Sequence, residues 1–303
     1  MSDIKPAWSS QFDAETLREL STFGPIGDIT REWAWGDSTG KGMRVAIIDS
    51  GIEADHPAVG GMVRGAVVVE YDARTKTQVR YIEDPEHQDM FGHGTACAGI
   101  IHSIAPDAEL YSVRVLGRDL TGRAMQFAGG LRWAIENGIN VVNLSLSTSR
   151  EEFFGLFHEI ADHAYFKNVV LISAVNNVPA PSYPSLYSSV ISVAAHQGKD
   201  PFTFYYNAEP PVEFGAPGID VTVAWQNKST ITSTGNSFAA PHITGIVALI
   251  RAKHPELTPF QIKTVLHACA ANARAVKISN PARKKPRPSK NRRRTNSKSR
   301  QVH

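Results

Sequence analysis

The sequence is poor in cysteine: Cys97 and Cys269 are the two in 303 residues. That excludes a disulfide-stapled scaffold and a four-thiolate zinc site. No run of 18 apolar residues occurs, so no membrane-spanning helix is expected. The opening segment MSDIKPAWSSQFDAETLREL has acids and a proline where a secretory signal would be apolar. A cytoplasmic location is the expectation, with export by a route without a cleavable signal left open. Acid is missing from one place in particular. Residues 281–303 hold ten Lys or Arg and neither Asp nor Glu. The formal charge of +3 therefore hides an acidic body, in which 22 basic groups face 29 acidic ones, a net of −7. A uniformly basic nucleic-acid binder is excluded for that body. The tail, rich in Lys, Arg, Pro, Ser and Asn and without aromatics, is expected to be disordered. Its charge suits an anionic partner such as nucleic acid, a lipid surface or an acidic protein, and the alternative is a solvated tail with no dedicated partner.

The rest of the composition, 42% hydrophobic and 20% charged, is that of a soluble globular chain. Strand-like runs at 43–49, 65–71, 108–116, 139–147, 169–175 and 189–195 alternate with helical patterns at 125–138, 151–168, 236–254 and 258–271. That alternation predicts an α/β fold with a mostly parallel sheet covered by helices on both faces. A short helical pattern also runs from Phe12 to Leu20. The division expected is an N-terminal extension over 1–22, one domain over 23–275 and the basic tail over 276–303. In such sheets functional groups gather at the carboxyl ends of strands and the starts of helices.

Three segments stand at such places. Asp49 closes the first strong strand and leads into Ser50-Gly51. Alone, Asp-Ser-Gly reads as a turn. His93 sits between glycines in FGHGTACAGII, where its near-neutral pKa suits proton transfer if a nucleophile lies beside it. Ser237, in GNSFAAPHITG, opens a helix whose N-terminus favours nearby negative charge, although a lone serine there reads as a helix cap.

Together, DSGIEADHP, HGTACAG and GNSFAAPHITG resemble the three signature blocks of the subtilisin-like serine proteases, the subtilases, in their order along the chain. LYSVRVLGRD, WAIENGINVVNLSLS, VVLISAVNN and YPSLYSSVISVAA extend the resemblance over roughly residues 25–270. It implies the subtilisin-like three-layer fold and a serine endopeptidase acting through an acyl-enzyme. Ser237 would be the nucleophile, His93 the base and Asp49 the group that orients and stabilises the imidazole. Asn177 matches the family's oxyanion asparagine. By the same resemblance, extended substrate would add to backbone edges at Leu120-Thr121-Gly122 and Ser145-Leu146-Ser147.

The chain departs from the family at several positions. Asn176 stands for a usual Gly, Asn236 for a usual Thr, and Ser147, Ser182 and Ser185 for glycines of the substrate pocket. A filled pocket makes a dedicated precursor-processing protease or a cyclase the second reading. A catalytically silent binding protein, anchored by its tail, is the third, and the intact Asp49, His93, Ser237 and Asn177 argue against it. No cofactor is expected. Ala58 replaces an aspartate of the family's strong calcium site, and helix runs directly to strand through IIHSIAPDAEL, so that site is expected to be absent. Residues 1–22 are too few for a full propeptide domain, which leaves a short extension lying across the cleft or a frayed terminus as the two readings. His158 and His163 are five apart, which is wrong for a zinc helix. Phe153, Phe154 and Phe157, and likewise Trp33 and Trp35, read as packing. Cys97, one helical turn after His93, is expected beneath that histidine or as a small buried apolar group.

Overall fold

The computed structural model describes residues 28–273 apart from 73, 76, 77, 87 and 210. The helical pattern at 12–20, the extension over 1–22 and the tail over 276–303 lie outside the described residues. The strands are β1 (Arg44–Asp49), β2 (Val63–Tyr71), β3 (Val79–Glu83), β4 (Glu109–Arg114), β5 (Val141–Leu144), β6 (Val170–Ala174), β7 (Ile191–His196), β8 (Tyr205–Tyr206), β9 (Phe214–Pro217), β10 (Val221–Trp225) and β11 (Ser229–Ser233). The helices are α1 (Arg31–Ala34), α2 (His93–Ile104), α3 (Ala124–Glu136), α4 (Phe154–Phe166), α5 (Asn236–Lys253) and α6 (Pro259–Cys269).

Nine strands form one sheet in the order β3-β2-β4-β1-β5-β6-β7-β9-β8. The pairs from β2 to β9 are parallel, and β3 and β8 close the two edges antiparallel. β10 and β11 form a separate hairpin, with β10 against α2. The expected mostly parallel sheet is thus present, while β3, β8, β9 and the hairpin have no counterpart in the sequence reading. β3 is largely exposed and reads VRYIE, without the apolar run that marks a buried strand.

The alternation of side chains along β1 separates two cores. Val45 and Ile47 point into a cluster with α2, α5 and α6, whereas Ala46 and Ile48 point into one with α3 and α4. This two-sided burial is why parallel strands here read as continuous apolar runs. In α4, Phe157 is fully buried and lies 4.6 Å from Phe127 between ring centroids. Phe153 instead belongs to a short turn before the helix, and Phe154 is half exposed against Tyr183 and Tyr187. The expected aromatic stripe is therefore one core residue and two peripheral ones. Trp35 is buried, and Trp33 stacks on His254 at 4.2 Å. Chain order reverses around β1, since β4 lies on one side of it and β5 on the other. The carboxyl ends of β1, β5 and β6 consequently share one edge with the N-termini of α2 and α5, which pack against each other.

Candidate active site

Asp49 is the last residue of β1 and is fully buried. Its backbone carbonyl accepts from Val115 N–H at 2.9 Å and from Leu116 N–H at 3.2 Å, which fixes the strand end. Its Oδ1 accepts from Ser50 N–H at 2.7 Å. Nδ1 of His93 lies 2.8 Å from Oδ2 and 3.0 Å from Oδ1. A buried carboxylate can only accept, so Nδ1 carries the hydrogen and Nε2 is left as the acceptor. Burial pulls the His93 pKa down, but the charge and hydrogen bond of Asp49, helped by Asp89, outweigh it and hold the pKa above 6.5.

This contact requires two chain segments to approach backbone to backbone. A Cβ on Gly94 would overlap the carbonyl of Gly51, and Gly51 itself has φ +112°. Both positions therefore need glycine. Asp89, absent from the sequence reading, binds the approach together. Its Oδ1 accepts from Ser50 Oγ, Phe91 N–H and Gly92 N–H at 2.8, 3.0 and 2.7 Å. Its Oδ2 accepts from the N–H and hydroxyl of Thr95 at 2.8 and 2.6 Å. An acid four residues before His93, at a helix start with no side-chain cap of its own, was the available signal.

Ser237 is the second residue of α5. Pro241, four residues on, has no N–H to give the Ser237 carbonyl. The Ser145 hydroxyl donates to that carbonyl instead, at 2.8 Å, and itself accepts from Asn143 Nδ2 at 3.0 Å. Thr244 Oγ1 completes the chain by donating to Asn143 Oδ1 at 3.0 Å. Ser237 and His93 make no direct hydrogen bond here; the His93 ring lies 5.3 Å from that of Phe238. Such bonds commonly tighten only when substrate is present.

Asn177 follows β6. Its Oδ1 accepts from the backbone N–H of Asn236 at 2.9 Å, which directs Nδ2 elsewhere as a donor. Asn236 is more than a neutral replacement for threonine. Its Nδ2 donates to the carbonyls of Val175 and Asn176 at 3.2 and 3.0 Å, and its Oδ1 accepts from Ala195 N–H at 2.9 Å. One side chain thus ties the ends of β6 and β7 to the start of α5.

Cys97 lies below this assembly, its Sγ 3.3 Å from Ser145 Oγ, 3.7 Å from the Ser237 carbonyl and 3.9 Å from Asp49 Oδ2. Burial, and then the charge of Asp49, push its thiol pKa well up. Among the described residues, Asp49, His93 and Cys97 form the one group spaced to hold a metal. A protonated thiol and an imidazole already bound to its carboxylate do not fit that role. His158 pairs with Asp162 at 3.7 Å and belongs to no such group. Cys269 is buried in the α6 core and is not disulfide-linked to Cys97.

Leu120, Thr121, Gly122, Leu146 and Ser147 line one cleft of about 630 Å³. Neither segment lies within a strand of the sheet. Leu120 has φ +56°, and the Thr121 carbonyl already accepts from Gly117 N–H at 2.9 Å, so 117–121 is a turn. Ser145–Ser147 continues past the end of β5, outside any ladder, until Thr148 bridges to Tyr183. Ser182 and Ser185 are both buried.

A parallel α/β sheet with an Asp-His pair on its carboxyl edge and a serine at the adjoining helix N-terminus defines a serine-hydrolase type of architecture. The chain belongs to the subtilase family, which matches residues 40–299. It is 32% identical over 244 residues to a thermostable alkaline protease of Halalkalibacterium halodurans, covering 76% of this chain and 63% of that protein. It is 31% identical over 274 residues to the minor extracellular protease Epr of Bacillus subtilis, covering 83% and 40%. Subtilisin BL of Lederbergia lenta is 31% identical over 246 residues, covering 77% and 85%. The chain thus spans less than two thirds of the first two relatives' lengths. A solved cold adapted subtilisin-like serine proteinase matches the fold with a TM-score of 0.61 at 23% identity, over 78% of this chain and 87% of that one.

Proposed function

We propose that the protein is a serine endopeptidase that cuts peptide bonds through an acyl-enzyme. The observation that carries this reading is the buried Asp49–His93 pair, with Nδ1 bound to the carboxylate, Nε2 left as the acceptor, and the His93 ring 5.3 Å from that of Phe238 at the start of α5. Ser237 Oγ attacks the carbonyl as His93 Nε2 takes its proton, and the imidazolium returns it to the leaving amine. Asp49 stabilises that cation without taking the proton. The oxyanion receives hydrogen bonds from Asn177 Nδ2 and the Ser237 N–H, at the positive end of an 18-residue helix.

In this reading the protein needs no cofactor. Four residues separate the end of α2 at Ile104 from the start of β4 at Glu109, which leaves little chain for a calcium loop, and Ala58 offers no ligand oxygen from its side chain. Melting with and without chelator tests this, and a large chelator-induced drop would refute it. The endopeptidase reading is tested with a fluorophosphonate probe and a mixed peptide pool. Wild type should be labelled and should cut internal bonds, and Ser237→Ala should do neither. An unlabelled wild type would support the silent binding protein, whereas rejoined products or a single permitted precursor would support the processing reading.

A further inference from the structure

The cleft beside Ser145–Ser147 carries two cations that nothing in the proposed reaction requires. Its walls are largely apolar, with Tyr71, Leu120, Leu146 and Phe153 among them, and its charged lining residues are Arg123 and Arg150. Among the described residues no Asp or Glu lines it, although the body of the chain has a net charge of −7. Both arginines are exposed yet held by aromatic faces. The Arg123 guanidinium lies 4.6 Å from the Tyr71 ring centroid, and that of Arg150 lies 5.3 Å from Phe153. Stacking uses the face of a guanidinium and leaves its N–H edge able to grip a carboxylate. Arg150 already pairs with Glu152 at 2.5 Å. Arg123 pairs with no carboxylate among the described residues, so it is the stronger attractor.

We propose that this part of the cleft is a subsite for an acidic side chain, and that the preferred substrates are peptides with Glu or Asp a few residues from the scissile bond. The inference rests on the endopeptidase reading. Its position follows from the chain: Leu146 and Ser147 line the cleft, and Ser145, directly before them, holds the carbonyl of Ser237. At about 3.3 Å per residue, an extended peptide at the nucleophile reaches the cleft within a few residues. Glutamate fits best because its methylenes can lie on the apolar wall while its carboxylate meets Arg123. A neutral aliphatic side chain would use the wall alone.

The test compares internally quenched peptides that differ at one position, with Glu, Gln, Lys or Leu placed in turn at each of five residues on either side of the cut. At one position kcat/KM should favour Glu over Gln by roughly fivefold at low salt, the scale of a solvent-exposed ion pair. The ratio should fall toward one in high salt. Arg123→Ala with Arg150→Ala should remove it, and Arg123→Glu should favour Lys. Because the readout is a ratio within each variant, a general loss of activity does not obscure it. The same peptides are titrated onto Ser237→Ala by fluorescence anisotropy, which reads the subsite even if no peptide is cut. Cleavage without any acid preference, or a preference that survives in the double variant, overturns the subsite and leaves the endopeptidase reading standing. Absence of both cleavage and probe labelling overturns the endopeptidase reading, while tighter binding of the Glu peptide would still support the acidic subsite.

Discussion

The hydroxyl of Ser145 donates to the backbone carbonyl of Ser237 at 2.8 Å. This contact replaces the helical hydrogen bond that Pro241 cannot make, and it sets the first turn of α5 against the end of β5. In Ser145→Ala the carbonyl would keep only the weak, 3.7 Å contact with the Cys97 thiol. Leaving such a buried acceptor poorly satisfied costs about 1–3 kcal/mol. Urea denaturation in a Ser237→Ala background, which prevents self-digestion, should show that loss for Ser145→Ala. If Ser145→Ala and its parent have the same midpoint, the contact contributes nothing.

Asn177 and Asn236 lead to a prediction that separates donation from placement. Asn177→Ala removes the proposed oxyanion donor and should lower kcat by roughly 100- to 1000-fold with little change in KM, a magnitude carried over from subtilases. Asn236→Ala leaves that donor in place but removes the bonds to Val175, Asn176 and Ala195. It should lower both stability and kcat, and it should add little further loss of rate to Asn177→Ala. Fully additive losses in the double variant would show that Asn236 does not act through Asn177.

The raised pKa of His93 makes a prediction about pH. The base works only when neutral, so kcat/KM should rise with pH through a midpoint above 6.5. Asp49→Asn removes the charge that holds the proton, which should move the midpoint down. It should also cost on the order of 10⁴ in kcat through the wrong tautomer. A midpoint that stays put in Asp49→Asn would mean that another group sets the limb.

The fold and the site differ in how much of them the residues disclose. Strands buried on both faces, such as β1 and β6, are plain from their apolar runs, and Asp49, His93 and Ser237 stand out because their neighbours are distinctive. The Asp49–His93 contact follows from the fold but depends on Gly51 and Gly94, whose role appears only when the two backbones meet. Asp89 is hidden in the sequence because an acid before a helix looks like ordinary capping: four of its five contacts are local, and only the one to Ser50, 39 residues away, ties it to the strand end. In the sequence Asn236 is simply a departure from the usual threonine, because side-chain bonds to three separate backbone positions leave no local pattern. The turn at Leu120 was also unreadable, since a leucine gives no hint of a positive φ.

A buried histidine away from the nucleophile should govern acid stability. His242, inside α5, is 7% exposed, and its Nδ1 has no hydrogen-bond partner among the described residues. Burial pulls its pKa down to about 4; the Pro201 backbone and Asp200 oppose that shift, and His196 adds to it. Between about 4 and 6.5 the unfolded chain therefore binds a proton that the folded chain refuses, so folding stability falls as the solution is acidified. At pH 5 the loss from this one residue is roughly 2 kcal/mol relative to pH 7. His93 has the opposite sign: its raised pKa adds stability at low pH that is lost as pH rises through the folded value. Urea melts of Ser237→Ala at pH 7 and pH 5, with and without His242→Gln, separate the two. The variant should lose less stability between the two pH values than its parent, whatever its absolute stability. An equal loss in both would assign the acid sensitivity to groups other than His242.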